Sequence, residues 1–199
     1  MNTHGLTDTH LTAIPGLTSI PDYITSDDET CLLAQLDQQP WSSDLRRRVQ
    51  HYGYRYDYKA RMITPEMQAA PLPPWLQELA RRVQQDGHTP TLPDQVIVNE
   101  YVPGQGIADH IDCVPCFGNS ILSLSLGSGC AMRFTEQQTR AQVPLWLAPR
   151  SLLLLQGAAR YEWLHGIPAR KSDLYNGQRV QRGRRVNNDE QQMEHRVIY

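Results

Sequence analysis

Residues 95–126 read QVIVNEYVPGQGIADHIDCVPCFGNSILSLSL, in which two runs of branched apolar residues flank a stretch rich in turn formers. Runs of the same kind recur along the second half of the chain, separated by Gly and Pro. They predict strands at 95–101, 120–126, 131–134, 142–147, 151–156 and 160–164. Many short strands at this spacing are typical of a sandwich or a jelly roll. With the helices described next, they predict an α+β fold in which a jelly roll forms the core of one domain.

Two helices are predicted upstream of these strands. Ser26 and Glu29 can form a capping box ahead of an apolar stripe, which predicts a helix over about 26–38. A second helix is predicted from near Pro74 to Gly87, and both helices are expected to pack outside the strands. Residues 1–20 lack periodicity, so we expect a loosely ordered lead-in to a single domain over 21–186.

Charge is unevenly distributed along the chain. Nineteen Lys and Arg stand against 21 Asp and Glu, for a net charge of −2. The first 45 residues hold seven acids and no Lys or Arg, whereas residues 46–61 hold six basic residues and one acid. The average excludes a polycationic or acidic-tail protein, but the segregation leaves a nucleic-acid partner open.

Apolar runs and cysteines bear on the compartment. The chain has no apolar run of membrane-spanning length and no start typical of a signal peptide, so we expect a cytoplasmic protein with no membrane partner. Its four cysteines are too few for a disulfide framework, and a zinc site would need a second pair like Cys113 and Cys116. We therefore expect ordinary thiols.

The candidate metal ligands are His110 and Asp112 of His110-Ile111-Asp112, and His165, which follows after 52 intervening residues. Residues i and i+2 of a strand point the same way, so His110 and Asp112 can face one ion. Two imidazoles and one carboxylate are the ligands used for non-haem Fe(II), and they leave positions open for a co-substrate and dioxygen. From spacing alone, unrelated histidines explain the pattern equally well.

Several motifs in one order resemble the AlkB family of Fe(II)- and 2-oxoglutarate-dependent dioxygenases, and the resemblance runs from about Pro15 to Arg185. They are PGLTSIPDYIT, NEYVPGQGIADHID, LSLSLGS, PRSLLLLQG and RYEWLHGI. The chain looks most similar to the branch that includes the tRNA wobble-uridine hydroxylases. The resemblance implies a double-stranded β-helix (jelly roll) core, Fe(II), and 2-oxoglutarate and O2 as co-substrates.

The resemblance also implies roles for individual residues. His110, Asp112 and His165 match the catalytic iron ligands. Asn99 and Tyr101 match residues that hydrogen-bond 2-oxoglutarate. A guanidinium suits a carboxylate, and Arg185 matches the first of two arginines that pair with this dianion. Asn187 is expected to reach the co-substrate too.

The chain departs from the family pattern after Arg185. The position of the second arginine is occupied by Gln191, and few apolar residues follow. We therefore expect no buried strand there, but an atypical polar C-terminal tail over 187–199. Loss of one charge-assisted pair is expected to weaken co-substrate binding, which puts turnover in doubt.

The family's N-terminal half implies a nucleotide-recognition lid, here over about 40–70. Residues 49–58, VQHYGYRYDY, predict a strand with its tyrosines on one face. Tyr54 and Tyr56 are candidates for contact with a base, and Arg46, Arg47 and Arg48 for contact with phosphates. Alternatively, the tyrosines are the apolar face of a strand and the arginines a solvated loop.

We expect a monomer, and the resemblance implies that it acts on nucleic acid carrying modified bases. The first interpretation is oxidative demethylation of alkylated bases in DNA or RNA. A tRNA wobble-uridine hydroxylase is an alternative within the same chemistry. A third alternative, favoured by Gln191, is a catalytically impaired nucleic-acid-binding protein of the same fold.

Overall fold

The computed structural model describes residues 13–193. Within that range the helices are α1 (Ser26–Asp37), α2 (Pro74–Gln85) and α3 (Gly157–Tyr161), with a 3-10 turn at Pro65–Met67. The strands, in chain order, are β1 (Leu17–Ile20), β2 (Arg48–Tyr52), β3 (Gln95–Tyr101), β4 (Ile107–His110), β5 (Phe117–Gly127), β6 (Cys130–Glu136), β7 (Gln142–Leu147), β8 (Leu152–Leu155), β9 (Trp163–Ile167), β10 (Ser172–Tyr175), β11 (Gln178–Gln181) and β12 (Arg185–Met193).

The strands form two main antiparallel sheets and a ribbon. The major sheet has the order β1-β8-β5-β12-β3-β2, and the minor sheet has the order β4-β9-β6-β7. A separate ribbon pairs β10 with β11. One buried apolar cluster takes residues from both main sheets, among them Ile97 and Leu153 of the major sheet and Phe134 and Ile167 of the minor sheet. The two sheets therefore face each other, as the predicted jelly roll requires.

Side chains alternate between the two faces of the major sheet, and each face carries its own apolar cluster. On β5, Leu122 and Leu124 belong to a second apolar cluster that includes Leu76 and Val83 of α2 and Leu36 of α1. Because successive side chains of a strand point to opposite faces, the other residues of β5 face the minor sheet. The two long helices thus pack on the outer face of the major sheet. None of the helices described between residues 13 and 193 is long and apolar enough to cross a membrane.

The N-terminal predictions need two corrections. The prediction of a loose lead-in is wrong for Leu17–Ile20, which pairs with β8 as an edge strand, while residues 1–12 lie outside the described part. The N-cap of α1 is Thr25 and not Ser26. The Thr25 hydroxyl accepts from the N–H of Asp28 at 3.1 Å, and the Asp28 carboxylate accepts from the N–H of Thr25 at 3.0 Å. The capping box therefore lies one residue earlier.

The predicted tyrosine strand over 49–58 ends at Tyr52. Gly53 has φ +82°, and a Cβ there would lie 2.1 Å from the carbonyl oxygen of Asp94. This left-handed turn takes the chain out of the ladder. Tyr54, Tyr56 and Tyr58 therefore do not share one face of a strand.

Residues 160–164 are not one strand, as was predicted. The short helix α3 occupies Gly157–Tyr161, and β9 begins only at Trp163. Periodicity could not separate these elements because the helix has only five residues.

The prediction that no buried strand follows Arg185 is wrong for the described residues. β12 runs from Arg185 to Met193 and lies between β3 and β5 near the middle of the major sheet. Two neighbouring strands supply its backbone with hydrogen-bond partners, which offsets the lack of apolar side chains. Residues 194–199, the rest of the predicted polar tail, lie outside the description.

Candidate functional site

A cavity of about 300 Å³ between the two sheets is the candidate functional site, and segment 56–61 contributes to its wall. Eight of the predicted site residues line it, namely Arg47, Tyr56, Asn99, Tyr101, His110, Asp112, His165 and Asn187. Four do not, namely Arg46, Arg48, Tyr54 and Arg185. The fold therefore brings residues from distant parts of the sequence to one place.

The candidate metal ligands lie at one end of the minor sheet. His110 of β4 is paired directly with His165 of β9, and Asp112 follows two residues after the end of β4. Nε2 of His110 is 3.7 Å from Oδ1 of Asp112, and Nε2 of His165 is 3.5 Å from Oδ2. One ligand atom from each residue lies within 4.8 Å of the others. Two imidazole nitrogens and one carboxylate oxygen so close together fit Fe(II) and leave coordination positions open.

The surroundings favour the protonation states that bind a metal. Nδ1 of His110 lies 2.9 Å from the carbonyl oxygen of Ala108, and donation of an Nδ1 proton there leaves Nε2 free for an ion. Burial lowers the pKa of His165 to about 4, although Asp112 opposes the shift. Burial also acts to raise the pKa of Asp112, but the nearby histidines and arginines outweigh it and lower that pKa. Neutral imidazoles and an ionised carboxylate are what a metal requires.

Arg160 supports the loop that carries Asp112. Its guanidinium donates to the carbonyl oxygens of Asp112 at 3.1 Å and of Cys113, Phe117 and Gly118 at 3.4 Å each. The residue is 2% exposed. A buried cation satisfying several carbonyl groups holds the loop against β5, so Arg160 positions a candidate metal ligand, Asp112. Nothing in the sequence indicates this role beyond the presence of an arginine five residues before His165.

Gly166 allows β9 to approach β4 closely beside His165. A Cβ at Gly166 would lie 2.4 Å from Oδ1 of Asp109 and 2.9 Å from its backbone nitrogen. The carboxylate of Asp109 is held by Arg133 at 2.9 Å and by Thr135 at 3.1 Å. This carboxylate is therefore held in place, and the close approach of the strands that carry His110 and His165 depends on Gly166.

The expectation of ordinary thiols is wrong for Cys113 and Cys116, which form a disulfide. Their Cα atoms are 5.2 Å apart, within the usual range for a disulfide, because the chain turns sharply at this point. Cys31 and Cys130 remain free. The disulfide closes the turn that begins directly after Asp112, and Cys113 also lines the cavity.

The residues predicted to bind 2-oxoglutarate lie on the opposite wall, in the major sheet. Asn99 and Tyr101 of β3 line the cavity, and Asn187 is paired with Asn99 across the ladder. Oδ1 of Asn187 and Oε1 of Gln191, which also lines the cavity, are buried without a hydrogen-bond partner in the described structure. Buried polar atoms of this kind need a partner. Such a wall fits a polar co-substrate like 2-oxoglutarate.

Arg185 is buried in the same sheet but does not line the cavity. It is paired with Tyr101, and its Nη2 donates to the hydroxyl of Ser125 at 2.9 Å. Nη1 donates to the carbonyl oxygen of Ser128 at 3.3 Å, whereas Nε is buried without a partner. Arg185 therefore lies next to Tyr101 at the edge of the predicted co-substrate wall.

Asp189 is a cavity residue that was not predicted from the sequence. It lines the cavity between Asn187 and Gln191, and its Oδ2 accepts from the amide of Asn99 at 3.0 Å. Burial raises the pKa of Asp189 to about 6, and the charge of Asp112 acts in the same direction. Only the alternation of β12 could have indicated this position, and that strand was not expected.

The three arginines predicted to contact phosphates have different environments. Arg46 is exposed, whereas Arg48 forms an ion pair with Glu100, with Nη2 2.7 Å from Oε1. Arg47 turns into the cavity and donates from Nε to Oδ1 of Asn99 at 2.7 Å. Of these three arginines, Arg47 thus lines the cavity, and Arg46 and Arg48 do not.

Of the two tyrosines predicted to contact a base, Tyr56 lines the cavity and Tyr54 does not. Tyr56 packs edge-on against Tyr58 at 4.9 Å between ring centroids, and both rings line the cavity. Arg61, which the sequence did not single out, lines it too and donates to the carbonyl oxygen of Ile111 at 3.2 Å. An aromatic pair and a cation therefore stand close to the metal ligands.

Comparison with known proteins matches residues 16–188 to the family described as the 2OG-Fe(II) oxygenase superfamily. The "Alkylated DNA repair protein ALKBH8 homolog" of Arabidopsis thaliana is 35% identical, over 86% of this chain and 56% of that protein. The "tRNA (carboxymethyluridine(34)-5-O)-methyltransferase ALKBH8" of Macaca fascicularis is 36% identical, over 80% of this chain and 25% of that protein. The chain thus spans about half the length of the Arabidopsis relative and about a quarter of the length of the macaque relative.

A shorter relative is covered more fully. The mitochondrial "Alpha-ketoglutarate-dependent dioxygenase alkB homolog 7" of Bos taurus is 30% identical, over 83% of this chain and 73% of that protein. The solved structure of OsALKBH1 shares the fold, with a TM-score of 0.68 at 16% identity over 89% of this chain and 97% of that one. These findings confirm the predicted family, the jelly-roll fold, Fe(II) as the metal cofactor, and 2-oxoglutarate and O2 as the co-substrates. The chain belongs to the 2OG-Fe(II) oxygenase superfamily and is an AlkB-like dioxygenase.

Proposed function

We propose that this dioxygenase oxidatively demethylates alkylated bases in DNA or RNA. The observation that carries the proposal is that the aromatic pair Tyr56 and Tyr58 lines the same 300 Å³ cavity as His110, Asp112 and His165. An aromatic wall suits the face of an extruded base, and extrusion is how enzymes reach an atom inside a nucleic acid.

The residues divide the work between the two walls. His110, Asp112 and His165 would hold Fe(II), and Asn99, Tyr101 and Asn187 would orient 2-oxoglutarate. When bound, the iron and 2-oxoglutarate activate dioxygen, so that one oxygen atom enters a C–H bond of the substrate while 2-oxoglutarate becomes succinate and CO2. A hydroxylated N-methyl group then leaves the base as formaldehyde.

Apolar side chains complete the cavity. Ile97, Leu153 and Leu155 of the major sheet and Met132 and Ile167 of the minor sheet line it. They limit the access of water to the metal ligands, which protects a reactive site from side reactions. Arg61, at the lid segment, and the exposed Arg46 supply positive charge for the phosphate backbone.

Hydroxylation of a modified wobble uridine in tRNA is the second candidate function. It is favoured by the 36% identity to the macaque protein, whose name refers to carboxymethyluridine at position 34 of tRNA. The same residues would perform the same oxygen insertion, and only the carbon presented to the metal would differ. In that case the hydroxyl group stays on the base.

The test supplies Fe(II), 2-oxoglutarate and one of three substrates: N-methylated single-stranded DNA, N-methylated RNA, or tRNA with a carboxymethyl-type wobble uridine. Demethylation predicts succinate and formaldehyde in equal amounts, with loss of the methyl group by mass spectrometry. Wobble hydroxylation predicts succinate and a base heavier by one oxygen atom. His110→Ala is the control, since it removes a metal ligand and should abolish both products.

Two outcomes would contradict the proposal. One is succinate formation without change to any of the three nucleic acids, which would point to another substrate class. The other is nucleic-acid binding without succinate, as expected of an impaired member of the fold.

A further inference from the structure

Each ring of the aromatic pair in the cavity has an arginine beside it. Both arginines, Arg47 and Arg61, line the cavity with the two tyrosines. The guanidinium carbon of Arg47 lies 5.6 Å from the centroid of the Tyr58 ring. Burial raises the pKa of the Tyr56 hydroxyl, while a hydrogen bond from Arg61 acts to lower it. A base that stacks on this pair therefore meets positive charge at both rings.

Arg61 is also held close to the candidate metal ligands. One of its amino groups, Nη2, donates to the carbonyl oxygen of Ile111 at 3.2 Å, and Ile111 is the residue between His110 and Asp112. The carbonyl oxygen of Arg61 lies 3.2 Å from Sγ of Cys113, in the loop that follows. A base whose reacting carbon is presented to the metal is therefore brought close to this guanidinium.

The acids that line the cavity come from other parts of the fold. Among the described lining residues they are Asp112 and Asp189. Asp112 is a candidate metal ligand, and Asp189 lies on the major-sheet wall, where it accepts from the amide of Asn99 at 3.0 Å. Asp57, between the two tyrosines, does not line the cavity, and its carboxylate accepts from the N–H of Lys59 at 2.8 Å. The segment that carries the aromatic pair therefore adds positive charge to the cavity and no described acid.

Alkylated bases differ in the charge of their rings. A methyl group on N1 of adenine or on N3 of cytosine makes the base a cation at neutral pH, whereas a methyl group on N3 of uracil leaves it neutral. A substituent on C5 of uridine also leaves the ring neutral. Like charges a few ångströms apart repel each other measurably near a protein surface, although salt and solvent reduce the effect. The charge of the base is therefore a property on which Arg61 can act.

We propose that Arg61 is a specificity-determining residue that disfavours cationic alkylated bases, so that the enzyme acts on bases with a neutral ring. The proposal rests on the proposed function, because it takes the same cavity as the site of the base. The neutral class includes N3-methyluracil, a substrate for demethylation, and the wobble uridine of the second candidate function. Attraction of phosphates by Arg61 is compatible with this role, since it is the same for both classes of base.

The test uses pairs of single-stranded oligonucleotides, made as DNA and as RNA, that differ only in the target base. One member of each pair has N3-methyluracil and the other N3-methylcytosine, which is similar in shape but carries a positive charge. Formaldehyde release with Fe(II) and 2-oxoglutarate gives kcat/KM for each. The ratio of the two values cancels any effect on folding, on metal binding or on phosphate contacts. For the wild type at pH 7 we expect a ratio of at least about fivefold in favour of N3-methyluracil.

Substitutions at Arg61 should change this ratio in the order of their charge. Arg61→Lys keeps the charge and should keep the ratio within about twofold, whereas Arg61→Gln should lower it about fivefold and Arg61→Glu should lower it further. The matched control is Arg55→Gln, because Arg55 is exposed on the same stretch of chain and does not line the cavity. It should keep the wild-type ratio. Where turnover is too slow to measure, fluorescence anisotropy gives the same ratio from the dissociation constants of the two oligonucleotides, with Mn(II) and 2-oxoglutarate bound.

Two results would overturn the role of Arg61 and leave the proposed function standing. One is a wild type that prefers N3-methylcytosine, and the other is an unchanged ratio in Arg61→Glu. If the wild type neither demethylates either base nor hydroxylates the wobble uridine, the proposed function is wrong and the role of Arg61 falls with it.

Discussion

Glu190 is the most unusual single residue of the fold outside the cavity. It lies on β12 between Val96 of β3 and Leu122 of β5, and both of these belong to the apolar cluster under the helices. One of its carboxyl oxygens accepts from the amide of Asn188 at 3.3 Å, and the other is buried without a partner in the described structure. Burial raises the pKa of Glu190 to about 8. The carboxyl group is therefore protonated in the folded protein at neutral pH.

This shift predicts how stability depends on pH. The folded chain keeps the Glu190 proton up to about pH 8, whereas the unfolded chain loses it near pH 4.5. The native state binds more protons between those values, so this residue makes the free energy of unfolding fall as pH rises from about 4.5 to 8. Glu190→Gln should remove that contribution and raise the free energy of unfolding at pH 8 by about 1–3 kcal/mol.

Urea denaturation at pH 5, 6.5 and 8 measures how the free energy of unfolding changes with pH in the wild type and in Glu190→Gln. The matched control is Glu78→Gln, at an exposed position on α2, whose free energy of unfolding should depend on pH as that of the wild type does. If the free energy of unfolding of Glu190→Gln depends on pH as that of the wild type does, the carboxyl group of Glu190 is ionised in the folded protein.

At the scale of elements, strands with clear apolar alternation could be predicted from the sequence and β12 could not. β3 and β7 have the predicted bounds, because apolar residues dominate one or both of their faces. β12 has Asn188 and Glu190 on its helix-facing side and Asn187, Asp189 and Gln191 on its cavity side. Its place in the sheet comes from backbone pairing on both edges, which no pattern of side chains reveals. Because β12 was not predicted, Asp189 was not predicted to line the candidate site either.

The close contact of β4 and β9 supplies a prediction about these two elements. Gly166→Ala should push β9 away from Asp109, which Arg133 and Thr135 hold in place, and so separate His165 from His110. We expect the free energy of unfolding to fall by about 1–3 kcal/mol, as in other overpacked sites, and Mn(II) affinity to fall about tenfold or more. Calorimetric titration with Mn(II) and urea denaturation measure the two effects.

Gly183→Ala is the matched control, since a Cβ there meets Ser128 only at the ordinary distance of 3.5 Å. It should bind Mn(II) as the wild type does. Unchanged Mn(II) affinity in Gly166→Ala would mean that the metal ligands do not depend on the close packing of the two strands.

For the molecule as a whole, the chain order of motifs predicted the family and the jelly roll, and it indicated three candidate metal ligands, which the fold brings together. It could not predict which arginine of 46–48 turns inward. That choice depends on the register of β2 against β3, which is a long-range pairing. The disulfide between Cys113 and Cys116 was not predicted for a different reason: cysteines of a cytoplasmic protein are usually thiols, and we expected this compartment.

The division of the site between two sheets predicts how ligands stabilise the fold. The candidate metal ligands come from the minor sheet and the loop after β4, whereas the residues proposed to bind 2-oxoglutarate, Asn99, Tyr101 and Asn187, come from the major sheet. Mn(II) alone should raise the Tm. 2-Oxoglutarate should raise the Tm further when Mn(II) is bound, and much less without Mn(II), because the metal binds one end of the co-substrate. A ligand at a hundred times its dissociation constant stabilises the native state by about 2.7 kcal/mol. Thermal unfolding followed by circular dichroism, with neither ligand, with each alone and with both, measures these shifts in Tm.

In His165→Ala neither ligand should shift the Tm appreciably, whereas His88→Ala, which removes a ring contact with Tyr23 away from the cavity, should retain both shifts. An equal shift from 2-oxoglutarate in the absence of metal would show that the co-substrate binds the major sheet alone, and the cavity would then not join the two sheets through a shared ligand.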